Sequence, residues 1–228
     1  RAYCEAFLNN EFDDDGDGSQ CAAVVWRSGL IHAGDKGKVD DKGRKAARPI
    51  IVGLALRRVC GRMPCAQLRD DFSKIFVKLR QLGIATPSGI EVVYHKVRMA
   101  IQKLESLVDG DMDDMPVALQ WDFDSAFPRV WRSKLFEAVE KYMPQNARYV
   151  RQCYDGPGQI YGVQDGVVKG QWTCVEGVWQ GDPLGCHHQS FGCLDFMLEC
   201  LRNLQPGNVF DEDGEMRASY DFIVDDLA

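Results

Sequence analysis

Three aspartates stand where carboxylates are costly to place. Asp225 and Asp226 end the apolar run Phe222, Ile223, Val224, and Asp122 ends the strand-like run VALQW. Ionised carboxylates resist burial unless they are paired or bound to a cation. If the two runs are neighbours in one sheet, the three carboxylates converge, and they cannot all stay ionised without a compensating charge. A divalent cation supplies that charge, and oxygen donors of this kind favour Mg²⁺ or Mn²⁺. Two such ions can activate an attacking hydroxyl and stabilise a leaving pyrophosphate. Each acid taken singly reads as a strand end facing water, so the set gains meaning only from the segment between.

That segment is EGVWQGDPLGCHHQSFGCLDFML. Gln180 and Gly181 precede Asp182 and Pro183, a tight turn opening a helix. Gly181 permits close approach of backbone or ligand, and Pro183 suits a first helical turn.

The elements that must position these residues alternate without a βαβ repeat. Residues 22–34 read as a pair of short strands, and 35–49 as a basic, glycine-containing loop. Residues 50–83 have apolar positions at helical spacing, broken near Pro64 and stopped at Gly83. Residues 86–108 predict another helix, with Ser88 as N-cap and Glu91 at the capping-box spacing. MPVALQWDFDSAF starts as a strand and passes into a helix around RSKLFEAVEKYM. Residues 158–175 alternate apolar and polar on either side of Asp165-Gly166, which predicts a hairpin. An amphipathic helix is expected from about Cys186 to Leu204, and a second hairpin over 209–224. The class is α+β.

Composition bounds the rest. The 228 residues are 45% hydrophobic and 27% charged, ordinary for a globular chain. No apolar run approaches the ~20 residues of a membrane span, and no membrane partner is expected. The nine cysteines are irregularly spaced without a CxxC pair, which points to reduced thiols in an intracellular protein rather than a disulfide framework. Cys186, His187, His188 and Cys193 lack the two separated ligand pairs of a zinc site and read as helix packing and surface. Asp13, Asp15, Asp17 and Gly18 begin like a calcium loop, but Val24 stands where its bidentate Glu belongs. The net charge of −7 is awkward for a nucleic-acid partner. Its acids, however, cluster in EFDDDGDG, DGDMDD and FDEDGE, while basic residues concentrate between Lys36 and Lys103. The sequence opens on Arg1 rather than Met, so it reads as an excerpt of a longer chain.

LQWDFDSAFPRV, GVWQGDPLG and FIVDD occur in the order and spacing of the three palm motifs of reverse transcriptases. ARPIIVGLALRRV resembles the Arg-Pro-Ile fingers motif of the same group. QLGIATPSGIEVVYHKVR is similar to the stretch that follows it in non-LTR (LINE-like) retrotransposon enzymes. The resemblance covers most of residues 25–228. It implies the fingers and palm of a right-hand polymerase, the palm an antiparallel sheet packed on helices and the thumb absent from this fragment. Residues 1–115 would be a fingers-like region with the N-terminal part. Residues 116–228 would be the palm, carrying a fingers-type hairpin near 155–175.

The resemblance also implies residue roles. Asp122, Asp225 and Asp226 fall on the catalytic aspartates, and with the Phe123 carbonyl they would hold two Mg²⁺ (or Mn²⁺) ions. Asp122 and Asp225 are the principal ligands in the family, with Asp226 assisting. Phe127 matches the aromatic that excludes the ribose 2′-OH. Gln180 and Gly181 match the turn lining the incoming nucleotide and template. Arg48 matches the arginine that grips the triphosphate, a task suited to its bidentate fork. Lys36, Lys38, Lys42 and Lys45 all compete to assist it. Ile223 departs from the family, which usually has Tyr or Phe there. The implied partners are an RNA template, a DNA primer and dNTPs, with nuclear action where priming uses chromosomal DNA. The oligomeric state is unassigned. Group II intron-type enzymes fit the residues flanking Arg48 less well. RNA-dependent RNA polymerases are disfavoured by Val224 and Phe127. A different class stays open: an inactive or domesticated module that keeps the fold as a nucleic-acid-binding scaffold.

Overall fold

A four-stranded mixed sheet with the order β2-β1-β3-β4 organises the part of the chain that carries the QGDPLG turn. The computed structural model describes residues 22–39, 43, 45–106, 123 and 125–203. Asp122, Asp225, Asp226 and Lys42 lie outside these residues, as do the strand expected before Asp122 and the hairpin expected over 209–224. The α+β class is borne out, with helices packed around the sheet. Among the described residues, no helix is long and apolar enough to cross a membrane. The seven described cysteines are all free thiols.

Two compact units divide the chain. The first holds the described residues up to Arg69 and those from Ser125 to Phe196; the second holds those from Asp70 to Phe123 and from Met197 to Asn203. In the first, a short helix α1 (Ala22–Trp26) leads into β1 (Gly29–Val39), which pairs antiparallel with β2 (Lys45–Gly53). The expected pair of short strands over 22–34 is therefore a helix followed by one strand. The expected loop over 35–49 is largely strand as well. Only Gly29–Ile31 of β1 pair with β3, so among the described residues the rest of the β1–β2 ribbon has no third strand. Asp35, Lys36, Lys38 and Lys45 fall within these strands, so the stretch lacks the apolar alternation that marks a half-buried strand and reads as loop.

α2 (Ala55–Gln67) follows β2. The helical pattern from Ile50 was expected to begin earlier, but Ile50, Ile51 and Val52 are β-branched and stay in the strand. Pro64 lies inside α2 rather than ending it, and the break falls at Leu68, whose N–H bonds back to the Pro64 carbonyl at 2.9 Å. Arg57, Cys60, Gly61 and Pro64 form the buried stripe of α2 at i, i+3, i+4, i+7 spacing, the inward face of an amphipathic helix.

Later in the same unit come α5 (Arg132–Tyr142), α6 (Pro144–Tyr154), β3 (Gly158–Gln164) and β4 (Val167–Cys174). The β3–β4 hairpin turns at Asp165 (φ 53°) and Gly166 (φ 74°), the two positive dihedrals that a two-residue hairpin turn matching strand twist requires. The single helix expected from Cys186 is two: α7 (Gly185–Gly192) and α8 (Leu194–Asn203). They part at Cys193, beside the point where Gly192 packs onto Val130 too closely for any side chain.

The second unit contains α3 (Arg69–Lys78, entered from Asp70) and α4 (Gly89–Ser106). Phe72 and Phe76 of α3 are fully buried and stack with centroids 6.3 Å apart. Ser88 does precede α4, but at φ 53°, and its carbonyl accepts the Val92 N–H at 3.0 Å. An ordinary N-cap has extended backbone.

Candidate functional site

The QGDPLG segment is fixed from below before it turns. Gly177 N–H bonds to the Val130 carbonyl at 3.0 Å, and Val178 N–H to the Phe127 carbonyl at 2.9 Å. These two bonds tie the turn to the loop that carries Phe127. Trp179 is buried, and its indole lies over the floor that Gly29 and Gly53 leave open in β1 and β2. The turn then closes on itself. Asp182 N–H bonds to the Trp179 carbonyl at 3.1 Å, and Asp182 Oδ1 accepts the Leu184 N–H at 3.0 Å, a local side-chain turn of the kind Asp favours.

Gly181 meets the edge of β2. Pro49 pairs with Ala33 but has no N–H to give. Residues at its parity, Ile51 included, therefore turn their backbone groups to the open edge. Gly181 sits on that edge, where a Cβ would run into the Ile51 carbonyl oxygen. The absence of a side chain at 181 is what allows the approach. Arg48 is on the same strand opposite Gly34, three residues from Ile51, and is half-buried. Gln180 is half-buried too, and its amide Nε2 is shielded from solvent without a hydrogen-bond acceptor among the described residues.

Phe127 is 3% exposed, with its ring beside Gly185 at the start of α7. The first unit thus gathers the β2 strand of Arg48, the Gln180-Gly181 turn and the Phe127 ring around one segment. Phe123 falls in the second unit and is 52% exposed. Of the competing lysines, Lys36 and Lys38 lie within β1 and Lys45 opens β2.

Behind the turn is a buried ionic cluster that the motif alone does not announce. Arg57 of α2 and Asp182 form an ion pair with both side chains almost wholly shielded, 1% and 0% exposed. Arg57 Nε and Nη2 donate to Asp182 Oδ2 at 3.1 and 2.6 Å. Its Nη1 reaches the carbonyls of Trp26 and Cys153 at 3.3 and 3.4 Å. The guanidinium plane lies 4.0 Å from the Trp179 ring centre and 5.0 Å from that of Tyr154. The Tyr154 hydroxyl donates to Asp182 Oδ2 at 3.2 Å and accepts the Trp179 N–H at 3.2 Å. Burial alone would raise the Asp182 carboxyl, but the Arg57 charge and the bonds it receives carry it below the usual carboxylate range. Burial likewise opposes the Arg57 charge, and neighbouring acidic groups, Cys153 and Asp182 foremost, hold it above the ordinary arginine value. Since burial also raises the Cys153 thiol, it is neutral near pH 7, and Asp182 is the operative counter-ion.

Arg57 was legible in one respect: its helical phase with Cys60, Gly61 and Pro64 sets it on the core stripe of α2. A charge on a core stripe calls for a partner, but nothing local names a residue 125 positions away.

His188 of α7 packs edge-on against Tyr154, centroids 5.4 Å apart, and is fully buried. Neither ring nitrogen has a hydrogen-bond partner among the described residues. Burial drives its pKa down to about 4; Asp182 opposes and Arg57 adds to that shift. Burial takes His187 to about 3, with His188 adding and Asp182 opposing. The native state therefore leaves both rings neutral at pH values where the unfolded chain, with histidines near 6.5, takes up protons. Stability is full above about pH 6.5 and falls as the pH drops toward about 4. His188 alone accounts for about 3 kcal/mol of that loss. Urea unfolding at pH 7.5, 6 and 5 should show a midpoint that declines steadily, and His188→Leu should flatten the decline. An unchanged slope in that variant would remove His188 from the account.

Among the described residues, no group of three His, Cys, Asp or Glu side chains is placed to hold a metal ion. No family model matches the chain, and a search of curated proteins finds no match.

Proposed function

We propose that this chain is part of an RNA-directed DNA polymerase of the non-LTR retroelement kind, which adds deoxynucleotides to a primer 3′-OH along an RNA template. The observation that carries this reading is the ordered set LQWDFDSAFPRV, GVWQGDPLG and FIVDD, with Arg48 upstream. The packing of the Gln180-Gly181 turn on the strand of Arg48 supports it, because nucleotide-binding groups must share one locale. On this reading the β1–β2 ribbon and the β3–β4 hairpin belong to the fingers, and the three aspartates to the palm.

Asp122, Asp225, Asp226 and the Phe123 carbonyl would hold the metal ions. This is an all-oxygen donor set, which suits Mg²⁺ or Mn²⁺. When bound, the ions neutralise charge on the attacking and leaving oxygens of an in-line displacement. The chain's own groups do the positioning. Arg48 receives the triphosphate through its planar fork of donors. Gln180 offers an amide donor that has no acceptor among the described residues. Phe127, packed beside Gly185, limits the space open to a ribose 2′-OH. Catalysis rests on electrostatics and positioning rather than on a covalent protein intermediate.

Primer extension by the full-length protein, with an RNA template, dNTPs and Mg²⁺, tests the assignment. Templated extension is expected. RNA binding without extension would favour the scaffold alternative. Phe127→Val, milder to the core than alanine, should raise rNTP use relative to dNTP roughly 10–100-fold. An unchanged preference would refute the sugar-gate role.

A further inference from the structure

We infer that the buried Arg57–Asp182 pair, bridged by the Tyr154 hydroxyl, is the positioning device that holds the Gln180-Gly181 turn at its working depth on the β2 edge. The inference rests on the polymerase reading and assigns Arg57, Asp182 and Tyr154 as positioning residues for the incoming nucleotide.

Asp182 belongs to the motif, yet its side chain is 0% exposed and its oxygens are occupied by protein donors. Oδ2 takes Arg57 Nε, Arg57 Nη2 and the Tyr154 hydroxyl, while Oδ1 takes the Leu184 N–H. A carboxylate so engaged serves neither nucleotide nor metal. What it does is grip the turn from both sides. Through Tyr154 the cluster holds the Trp179 N–H, just before Gln180, and through its own carboxylate it holds Leu184, just after Pro183. Gln180 and Gly181 are the residues left between the grips. Arg57 extends the anchorage to the ends of α1 and α6, through the Trp26 and Cys153 carbonyls. The turn is thereby referenced to three separate elements as well as to its own loop.

Energetics separate positioning from simple stability. A buried ion pair is often replaceable by apolar residues of similar volume with little loss of stability, whereas removing one partner strands a charge. The directional bonds to Tyr154 and Leu184 are what an apolar replacement cannot reproduce. If the pair served only to fill the core, an apolar pair would serve as well.

The test is steady-state primer extension by the full-length protein carrying Arg57→Met together with Asp182→Leu. Thermal unfolding is measured alongside, and Tyr154→Phe is assayed in parallel. The double variant should fold, with KM for dNTP raised roughly 10–100-fold and kcat within about threefold of wild type. Tyr154→Phe keeps the ion pair but loses the bridge, and should raise KM about 3–10-fold at nearly unchanged kcat. A folded double variant with wild-type KM overturns the inference. Should the double variant not fold, an unaltered KM in Tyr154→Phe overturns it instead. If the wild-type protein extends no primer, the polymerase reading itself fails. Amide exchange then decides the clamp separately: faster exchange at Gly181 and Leu184 in Tyr154→Phe sustains it, and unchanged exchange removes it.

Discussion

Asp225→Ala is expected to lower templated primer extension by about a thousandfold or more, equivalent to about 4 kcal/mol in the barrier. The proposed site asks three carboxylates to balance two divalent ions. Loss of a principal ligand would remove a full negative charge from the set that would hold the ions. Asp226→Ala should cost less, roughly 10–100-fold, because the second acid of the pair assists rather than leads. Nucleotide affinity should change less than rate in both variants, since Arg48 and Gln180 remain. Single-turnover extension with saturating dNTP reads the difference directly. Asp225→Ala activity within tenfold of wild type would sink the metal assignment, and equal losses at 225 and 226 would sink the ranking.

The second large effect is on stability. Arg57→Ala leaves the Asp182 carboxylate buried with its main counter-charge gone, and removes the guanidinium stacked on Trp179. Breaking such a pair from one side costs about 3–5 kcal/mol, a fall of roughly 10 °C in the unfolding midpoint for a chain of this size. Arg57→Lys should recover only part, because an ammonium cannot give two parallel donors to Oδ2 and stack as well. The surface pairs give the contrast. Lys74–Asp71 and Arg202–Glu199 are well exposed, and pairs of that kind contribute at most about 1 kcal/mol. Thermal denaturation of Arg57→Ala beside Lys74→Ala separates the two cases; equal midpoints would contradict the assigned cost.

Local chemistry was legible where it acts locally. Asp165-Gly166 between alternating runs named the β3–β4 hairpin, and the apolar spacing around Arg132–Tyr142 named α5. Errors arose where a tertiary neighbour decides. The ribbon of β1 and β2 was hidden because charged residues and glycines break the apolar alternation within it, and the pairing of one strand with the other decides its structure. The split of α7 from α8 depends on Val130 pressing against Gly192, a contact invisible in the amphipathic pattern. The candidate site divides the same way. Gln180, Gly181, Phe127 and Arg48 were found as motif positions, and the structure gives the packing among their segments. Tyr154 and His188 belong to no motif, and Arg57, though inside the stretch that resembles the fingers motif, had no role assigned to it there. They emerge only when α2, α6 and α7 meet behind the turn.

The separation of Arg57 from Asp182 has a consequence for biosynthesis. The two partners are 125 residues apart, so at ~5–20 residues per second the ribosome needs roughly 6–25 s between them. For most of that interval α2 has been synthesised with its arginine, while Trp179 and the carboxylate that complete its surroundings do not yet exist. The β1–β2 ribbon can close early, because its contacts are short-range. The first unit, however, cannot finish its core until the chain has passed through the second unit's helices and returned. Completion of this core waits for translation of the QGDPLG segment and of α7 directly after it, whose His188 and Phe191 are also buried, so the nascent chain keeps this surface exposed until both have been made.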